Sequence, residues 1–327
     1  MGIGAGGGML LGMDNQDRGA VHRGALRVPV GQGPMRTTRE ISLRERVIEL
    51  AVEVGTAVTM DPDILSVSRK SSLGDLVTNA DLAIQTRLFE GLHDLLPNAS
   101  LLGEEHTTQA WSEDTWVVDP VDGTTNMVHG FPHAAVSIAL FRSGEPHMAI
   151  IHNPFSQSTY FATSGSGSFV RDHRSNKPDR RLRASLTRQL QSSLVSFGLP
   201  YDRSEADMVF ATMSRIFDRC QDIRRTGSAA LDIAFVAQGR LDAHVESSLR
   251  PWDVAASGIL LTEAGGVVTD WAGRSICWSE GLESSSVLAS NSMIHKELLA
   301  LLGEGGAVSY TRDRSSLRSA GRVMASA

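Results

Sequence analysis

The chain has 327 residues, 41% of them hydrophobic and 21% charged, with a formal net charge of −6. That apolar share can bury a large core without disulfides or a structural metal, and the length predicts two domains or one bilobed unit. The negative balance excludes a global field that would collect nucleic acid or anionic lipid, so a site for acidic metabolites must build its positive potential locally.

From the N-terminus, residues 1–39 are rich in Gly, Gln and Arg without sustained periodicity and are expected to be a disordered extension. Gly2, Gly4 and Gly7 match GxGxxG there, but no strand precedes them to present a dinucleotide turn. The short Met9-Leu10-Leu11 patch follows glycines rather than a basic segment, so it reads poorly as a signal peptide. No apolar run approaches the roughly 18 residues that span a bilayer, and a cytoplasmic protein is expected.

Ile41, Val47, Ile48, Ala51 and Val54 recur at helical spacing, as do Leu82, Leu88, Leu92, Leu95 and Leu96, predicting two amphipathic helices. Strands are predicted at 115–119, 135–142, 148–153 and 158–163, where Val, Ile and aromatics lie between Gly or Pro breaks. The basic segment 171–185 reads as a connection. Helices follow near 204–219, at 228–238 and at 253–264, with strands at 241–246, 266–269 and 286–289 and a last helix at 293–302. Cys220 and Cys277 each stand alone, without metal-ligand spacing, and are expected to be reduced thiols. Residues 304–327, with Arg312, Arg314, Arg318 and Arg322, read as a second, solvated disordered tail. The resulting fold class is α+β, a layered αβαβα sandwich. A lobe at 40–185 would hold a largely antiparallel sheet, and one at 186–303 a mixed sheet with helices.

Three acidic clusters stand at element ends: Glu104-Glu105, the run DPVDGTTN at 119–126, and Trp252-Asp253. Hard cations such as Mg²⁺ take carboxylate oxygens from several directions and leave positions for water and phosphate. Pro120 is expected to stop the strand of Trp116–Val118, so that Asp119 and Asp122 both face its carboxyl end. Gly123 admits close backbone approach, and Thr124-Thr125 start a turn or short helix whose free N–H groups suit a phosphate. Two carboxylates beside such a cradle make sense with cations between them, whereas as turn residues alone they would carry no chemistry. Asp81 reads equally as a first-turn acid complementing a helix dipole, Glu246 as an exposed strand-end acid, and Lys70 as a surface lysine. The ten histidines show no HExxH pattern.

With Lys70 and DLVTNAD at 75–81, GEE at 103–105, WVVDPVDGTTN at 116–126, GSAAL at 227–231 and PWDVAASGILLTEAGG at 251–266, the chain resembles the inositol monophosphatase family over about residues 41–303. Ser257, before the glycine of WDVAASG, is a mild departure from the family pattern. The resemblance implies two to three Mg²⁺ ions, one held by Glu104, Asp119 and the carbonyl of Val121, a second by Asp119, Asp122 and Asp253, and a weaker third near Glu104. It implies phosphate contacts from Gly123 and Thr124, activation of water by Thr124 with Asp81, and contacts of Asp122, Ala229 and Glu246 to polyol hydroxyls. Catalysis would thus rest on Glu104, Thr124 and Asp81.

A small phosphorylated polyol as substrate, a homodimer and lithium sensitivity are further expectations from the family. Histidinol phosphate and fructose 1,6-bisphosphate remain alternatives on the same scaffold, as does a non-enzymatic role as a partner of the transcription machinery. DGTTN rather than a DGTKE-type run counts against a nucleotide phosphatase, and nothing in the sequence calls for a membrane or nucleic-acid partner.

Overall fold

Periodicity and burial in the sequence translate into five layers. The structure, a computed structural model, describes residues 38–60, 67–69, 76–105, 110–200, 202–276, 278 and 285–303. They fall within one unit, Arg36–Ala327. Lys70, Cys277, the expected N-terminal extension apart from the start of its first helix, and the C-terminal tail lie outside the described residues.

The first half contains α1 (Thr38–Met60), β1 (Val67–Arg69), β2 (Leu76–Thr78), α2 (Asn79–Leu95), β3 (Ser100–Gly103), β4 (Asp114–Asp122), the short α3 (Thr124–Val128), β5 (Ala135–Arg142), β6 (Glu145–Asn153), β7 (Ser158–Thr163), β8 (Ser168–Asp172) and β9 (Arg180–Arg181). The second half adds β10 (Leu194–Phe197), α4 (Ala206–Phe217), β11 (Asp222–Arg224), α5 (Ala229–Ala237), β12 (Ala243–Leu249), α6 (Pro251–Glu263), β13 (Val267–Thr269), β14 (Ser285–Ser290) and α7 (His295–Gly303).

Strands β3 to β9 form a seven-stranded sheet in sequence order. Only the β3–β4 pair is parallel and the remaining pairs are antiparallel. A mixed five-stranded sheet has the order β11-β10-β12-β14-β13. The first sheet is buried on both faces, and the two-residue alternation of its strands sorts their side chains into two cores. Trp116, Val118, Ile138, Leu140, Met148 and Ile150 pack with Val47, Ile48, Leu88 and Leu92 of α1 and α2. Their neighbours Val117, Ala139, Phe141, Ala149 and Ile151 pack with α5 and α6 on the other side. Both of those helices are apolar around most of their circumference, as a helix held between two sheets must be. The far face of the second sheet is covered by Val209, Met213 and Ile216 of α4 and Leu298, Leu301 and Leu302 of α7.

Two sequence expectations need correction. Pro120 does not end its strand. β4 runs on to Asp122, with Asp119 paired to Ser137 and Asp122 to Ala135, so three steps along β4 oppose two along β5. Such an extra residue is a bulge, one of the few places in a sheet that accommodates proline. The segment 171–185 is not merely a connection: Ser168–Asp172 and Arg180–Arg181 are the last two strands of the first sheet. Their charged residues hid the pattern because β9 is the edge strand and β8 lies next to it, where most side chains are only partly buried or exposed. The strands β10 and β11 were likewise too short to read. Ser257, by contrast, costs the fold little: it is fully buried, and its hydroxyl donates to Val254 O at 3.2 Å.

Trp116 is completely buried against α1 and α2. Trp116→Ala is therefore expected to destabilise the protein by about 3–5 kcal/mol, read from the shift of the urea unfolding midpoint at constant m-value. A loss below about 1 kcal/mol would show that this core closes around the gap.

Candidate active site

The bulge at Pro120 re-aims the end of β4 so that its acids meet three helix starts. Asp119 Oδ1 accepts from the backbone N–H of Val121 at 2.9 Å. Asp122 reaches across to α5, where its Oδ2 accepts from the Ser228 hydroxyl and from Ala230 N–H, the latter at 2.8 Å. Ser228 is the N-cap of that helix, so Asp122 sits on the positive end of an interior helix. Asp253 lies in the first turn of α6, and its Oδ2 accepts from Arg250 N–H at 2.7 Å.

Gly123 has a φ of +95°, and a Cβ there would lie 3.0 Å from His133 O and 3.2 Å from Gly227 O. Only glycine makes this left-handed turn at such close quarters. It releases the chain into α3, where the Thr124 hydroxyl lies 3.0 Å from both Asp81 Oδ1 and Val121 O. Asp81 is buried in the first turn of α2. The side-chain amide of Asn126 donates to His133 O at 2.7 Å and Thr226 O at 2.8 Å, tying the loops around the turn together. Glu104 follows β3; its N–H donates to Val118 O at 3.3 Å, and the next N–H, of Glu105, donates to Gln85 Oε1 at 2.9 Å. Gly103 makes room for that amide, since a Cβ would lie 2.4 Å from Gln85 Oε1.

Asp122, Gly123, Thr124, Ala229, Glu246 and Asp253 line one open cleft of about 730 Å³. The structure thus brings six of the predicted site residues to a single surface, with Asp81 behind Thr124. Glu104 and Asp119 adjoin them electrostatically. Burial first, then repulsion from Glu104, Asp122 and Asp253, holds the Asp119 carboxyl well above the usual range. Asp253 is raised by burial and then by Glu104, against the lowering effect of the Arg250 N–H. Burial lifts Asp122 to about 7, although its bonds from Ser228 and Ala230 pull the other way. The donor set is all oxygen and anionic, which suits a hard cation and no soft one. Among the described residues no three His, Cys, Asp or Glu side chains stand close enough together to hold one ion between them. An open wall of carboxylates suits a hard divalent cation that keeps much of its water.

A family model described as the inositol monophosphatase family matches residues 40–306. The chain belongs to that family. A relative named Nus factor SuhB, from Escherichia coli strain K12, is 36% identical over 242 residues, covering 73% of this chain and 86% of the relative. An inositol-1-monophosphatase of Caulobacter vibrioides is 36% identical over 244 residues, covering 73% and 91%. Among solved structures, the extragenic suppressor protein suhB of Bartonella henselae aligns with a TM-score of 0.73 and 32% identity over 81% of this chain and 99% of that one. An inositol monophosphate-bound SaIMPase-II aligns with a TM-score of 0.68 and 26% identity over 81% and 96%.

The sequence reading missed several residues of the cleft. Gly198, Arg225, Ser228 and Asp232 line it, and His244 stands behind Glu246. Two signals were available: Asp232 directly follows GSAAL, and His244 precedes Glu246 by two residues, which puts both on one face of a strand. Glu246 is not the exposed terminal residue of its strand; it is half-buried, and β12 continues to Leu249. Cys220 is a half-buried free thiol whose pKa burial raises. No described helix is long and apolar enough to cross a membrane.

A carboxyl raised on folding binds more protons folded than unfolded between about pH 4 and pH 7. Asp122 therefore costs stability progressively as pH rises through that window. In the presence of a chelator, Asp122→Asn is expected to melt at least about 2 °C above the parent at pH 7.5, because Asn still accepts from Ala230 N–H. The gap should close toward pH 4 in calorimetric scans; a gap that widens on acidification would contradict the assignment.

Proposed function

We propose that the protein is a Mg²⁺-dependent phosphomonoesterase that hydrolyses inositol monophosphate or a similar small polyol phosphate by attack of water. The observation that carries this reading is the Thr124 hydroxyl, set between the buried carboxylate of Asp81 and the carbonyl of Val121 at the rim of an acidic wall. An isolated helix cap would not need the second buried acid.

Glu104, Asp119, Asp122, Asp253 and the Val121 carbonyl would hold two to three magnesium ions. When bound, these supply Lewis acidity and neutralise the charge on the phosphate and leaving oxygen. The chain's own residues do the rest. The backbone N–H groups of Gly123 and Thr124, at the start of α3, face a phosphate as donors. Thr124 Oγ1 orients the attacking water and takes its proton while passing its own to Asp81 Oδ1. Glu246 and Ala229, on the opposite wall, contact hydroxyls of the alcohol and orient it. Among the described cleft-lining residues Arg225 is the one Lys or Arg, and helix starts and bound ions would add positive potential.

The solved SaIMPase-II with inositol monophosphate bound supports this substrate class, and the Caulobacter relative carries the corresponding name. A partner role in transcription draws on relatives named Nus factor SuhB. The buried acid set favours catalysis, because docking a partner requires no raised carboxylates beneath the surface. The homodimer, the cytoplasmic location and inhibition by lithium belong to the same proposal.

The test is hydrolysis of inositol 1-phosphate, histidinol phosphate, fructose 1,6-bisphosphate and p-nitrophenyl phosphate with Mg²⁺, with inositol 1-phosphate expected to give the highest kcat/KM. Asp81→Asn and Asp122→Asn should each lower kcat by about 10²–10³-fold or more; near-normal turnover in either would overturn the mechanism. Glu246→Gln should depress hydrolysis of inositol 1-phosphate more than that of the aryl ester, and an equal fall on both would remove Glu246 from alcohol recognition.

A further inference from the structure

Glu246 does not stand alone on its wall. Alternation along β12 sends Ala243 and Val245 into the core under α4 and α7, and turns His244 and Glu246 to the opposite face, toward α5. There His244, fully buried, lies with Nε2 3.1 Å from Glu246 Oε2 and Nδ1 3.5 Å from Asp232 Oδ2. Ser196 Oγ, from β10, is 2.9 Å from the same Nδ1. Asp232, also buried, is held in turn: its Oδ1 faces His133 Nε2 at 3.1 Å and accepts from the Thr226 hydroxyl. The groups form a chain running from the interior of α5 to the cleft.

Two features show that this chain fixes Glu246 in one place. A carboxylate oxygen can only accept, so Nε2 carries the proton that holds Oε2. On the other side, a Cβ on Gly198 would lie 1.8 Å from Glu246 Cδ, so the carboxyl group is packed onto bare backbone that no other residue type would leave open. The charges facing His244 are Glu246 on its own strand, Asp232 on α5 and Asp122 on β4; β10 presents only Ser196. Burial lowers the imidazole pKa, and these three carboxylates more than offset it, so the ring is biased toward its cationic form among acids that need compensation.

We propose that His244 is a positioning residue for alcohol recognition: anchored by Asp232 and Ser196, it clamps Glu246 against Gly198 as a fixed acceptor for a hydroxyl of the substrate. The proposal rests on the reading of the cleft as a polyol phosphatase site. A fixed acceptor rewards an alcohol whose hydroxyl is correctly placed and gives nothing to an ester without one. Specificity would therefore be set two residues upstream of the contact itself.

The experiment compares kcat/KM for inositol 1-phosphate with that for p-nitrophenyl phosphate, which has no alcohol hydroxyls, in the full chain with Mg²⁺. His244→Phe removes the donor to Glu246, and the ratio of the two values is expected to fall about tenfold or more, carried by KM for inositol 1-phosphate. His244→Asn, polar and too short to reach Glu246, is the second variant should Phe prevent folding, and the same fall is expected. Combined with Glu246→Gln, neither change should lower the ratio below that of Glu246→Gln alone. A parent active on both esters, with a ratio within twofold in the His244 variants or with additive effects in the double variant, would overturn the role of His244 and leave the phosphatase reading standing. A parent that hydrolyses neither ester would overturn both.

Discussion

Like charges packed out of water repel, and the architecture around the cleft is organised by that constraint. Asp119, Asp122 and Asp253 are drawn together from β4 and α6, and Glu104 adds its charge from the end of β3. Each of the three aspartates receives at least one backbone N–H: Val121 to Asp119, Ala230 to Asp122 and Arg250 to Asp253. Those bonds fix direction, yet burial and repulsion from neighbouring carboxyls, Glu246 and Asp232 in the case of Asp122, still leave all three raised. A protein that retains such an arrangement holds a place for protons or cations that stability alone does not require.

The bulge at Pro120 is the device that makes the arrangement possible. In a regular antiparallel strand, Asp119 and Asp122 would fall on opposite faces of the sheet, three residues apart. One extra residue in β4 changes that relation. The strand then passes through the left-handed turn at Gly123 directly into α3, so acids and helix start share one edge. Rigidity comes from Asn126, which binds the carbonyls of two separate loops. The geometry of such a site depends on supporting bonds of this kind as much as on the acids themselves.

The middle layer gives the cleft its second wall. Helix α5 is apolar almost throughout, and its polar start and Asp232 are exceptions to that composition. Both are used: Ser228 and Ala230 N–H hold Asp122, and Asp232 faces His244. Asp122 and the His244–Glu246 pair are thus both tied to the first turns of one helix. A substitution on α5 would be felt by both.

How much of this was legible in the sequence follows from the range of the interactions involved. Apolar periodicity determined the main helices and the strands at 135–142 and 158–163, because those patterns report local geometry and burial together. The run DPVDGTTN pointed to close backbone approach at Gly123 and to a turn or short helix from Thr124, while the left-handed φ of Gly123 is set by its surroundings in the fold. Tertiary structure decided what proline at 120 does: a proline ends an isolated strand, while pairing with β5 lets it sit in a bulge. It also decided the last two strands of the first sheet, at 168–172 and 180–181, whose charged residues carry no core pattern. Above all it decided the partners of Glu246. His244 lies two residues away and could be placed on the same face, but Asp232, Ser196 and Gly198 come from other elements, and no local signal gives the contact of residues brought together only when two sheets and a helix close around them.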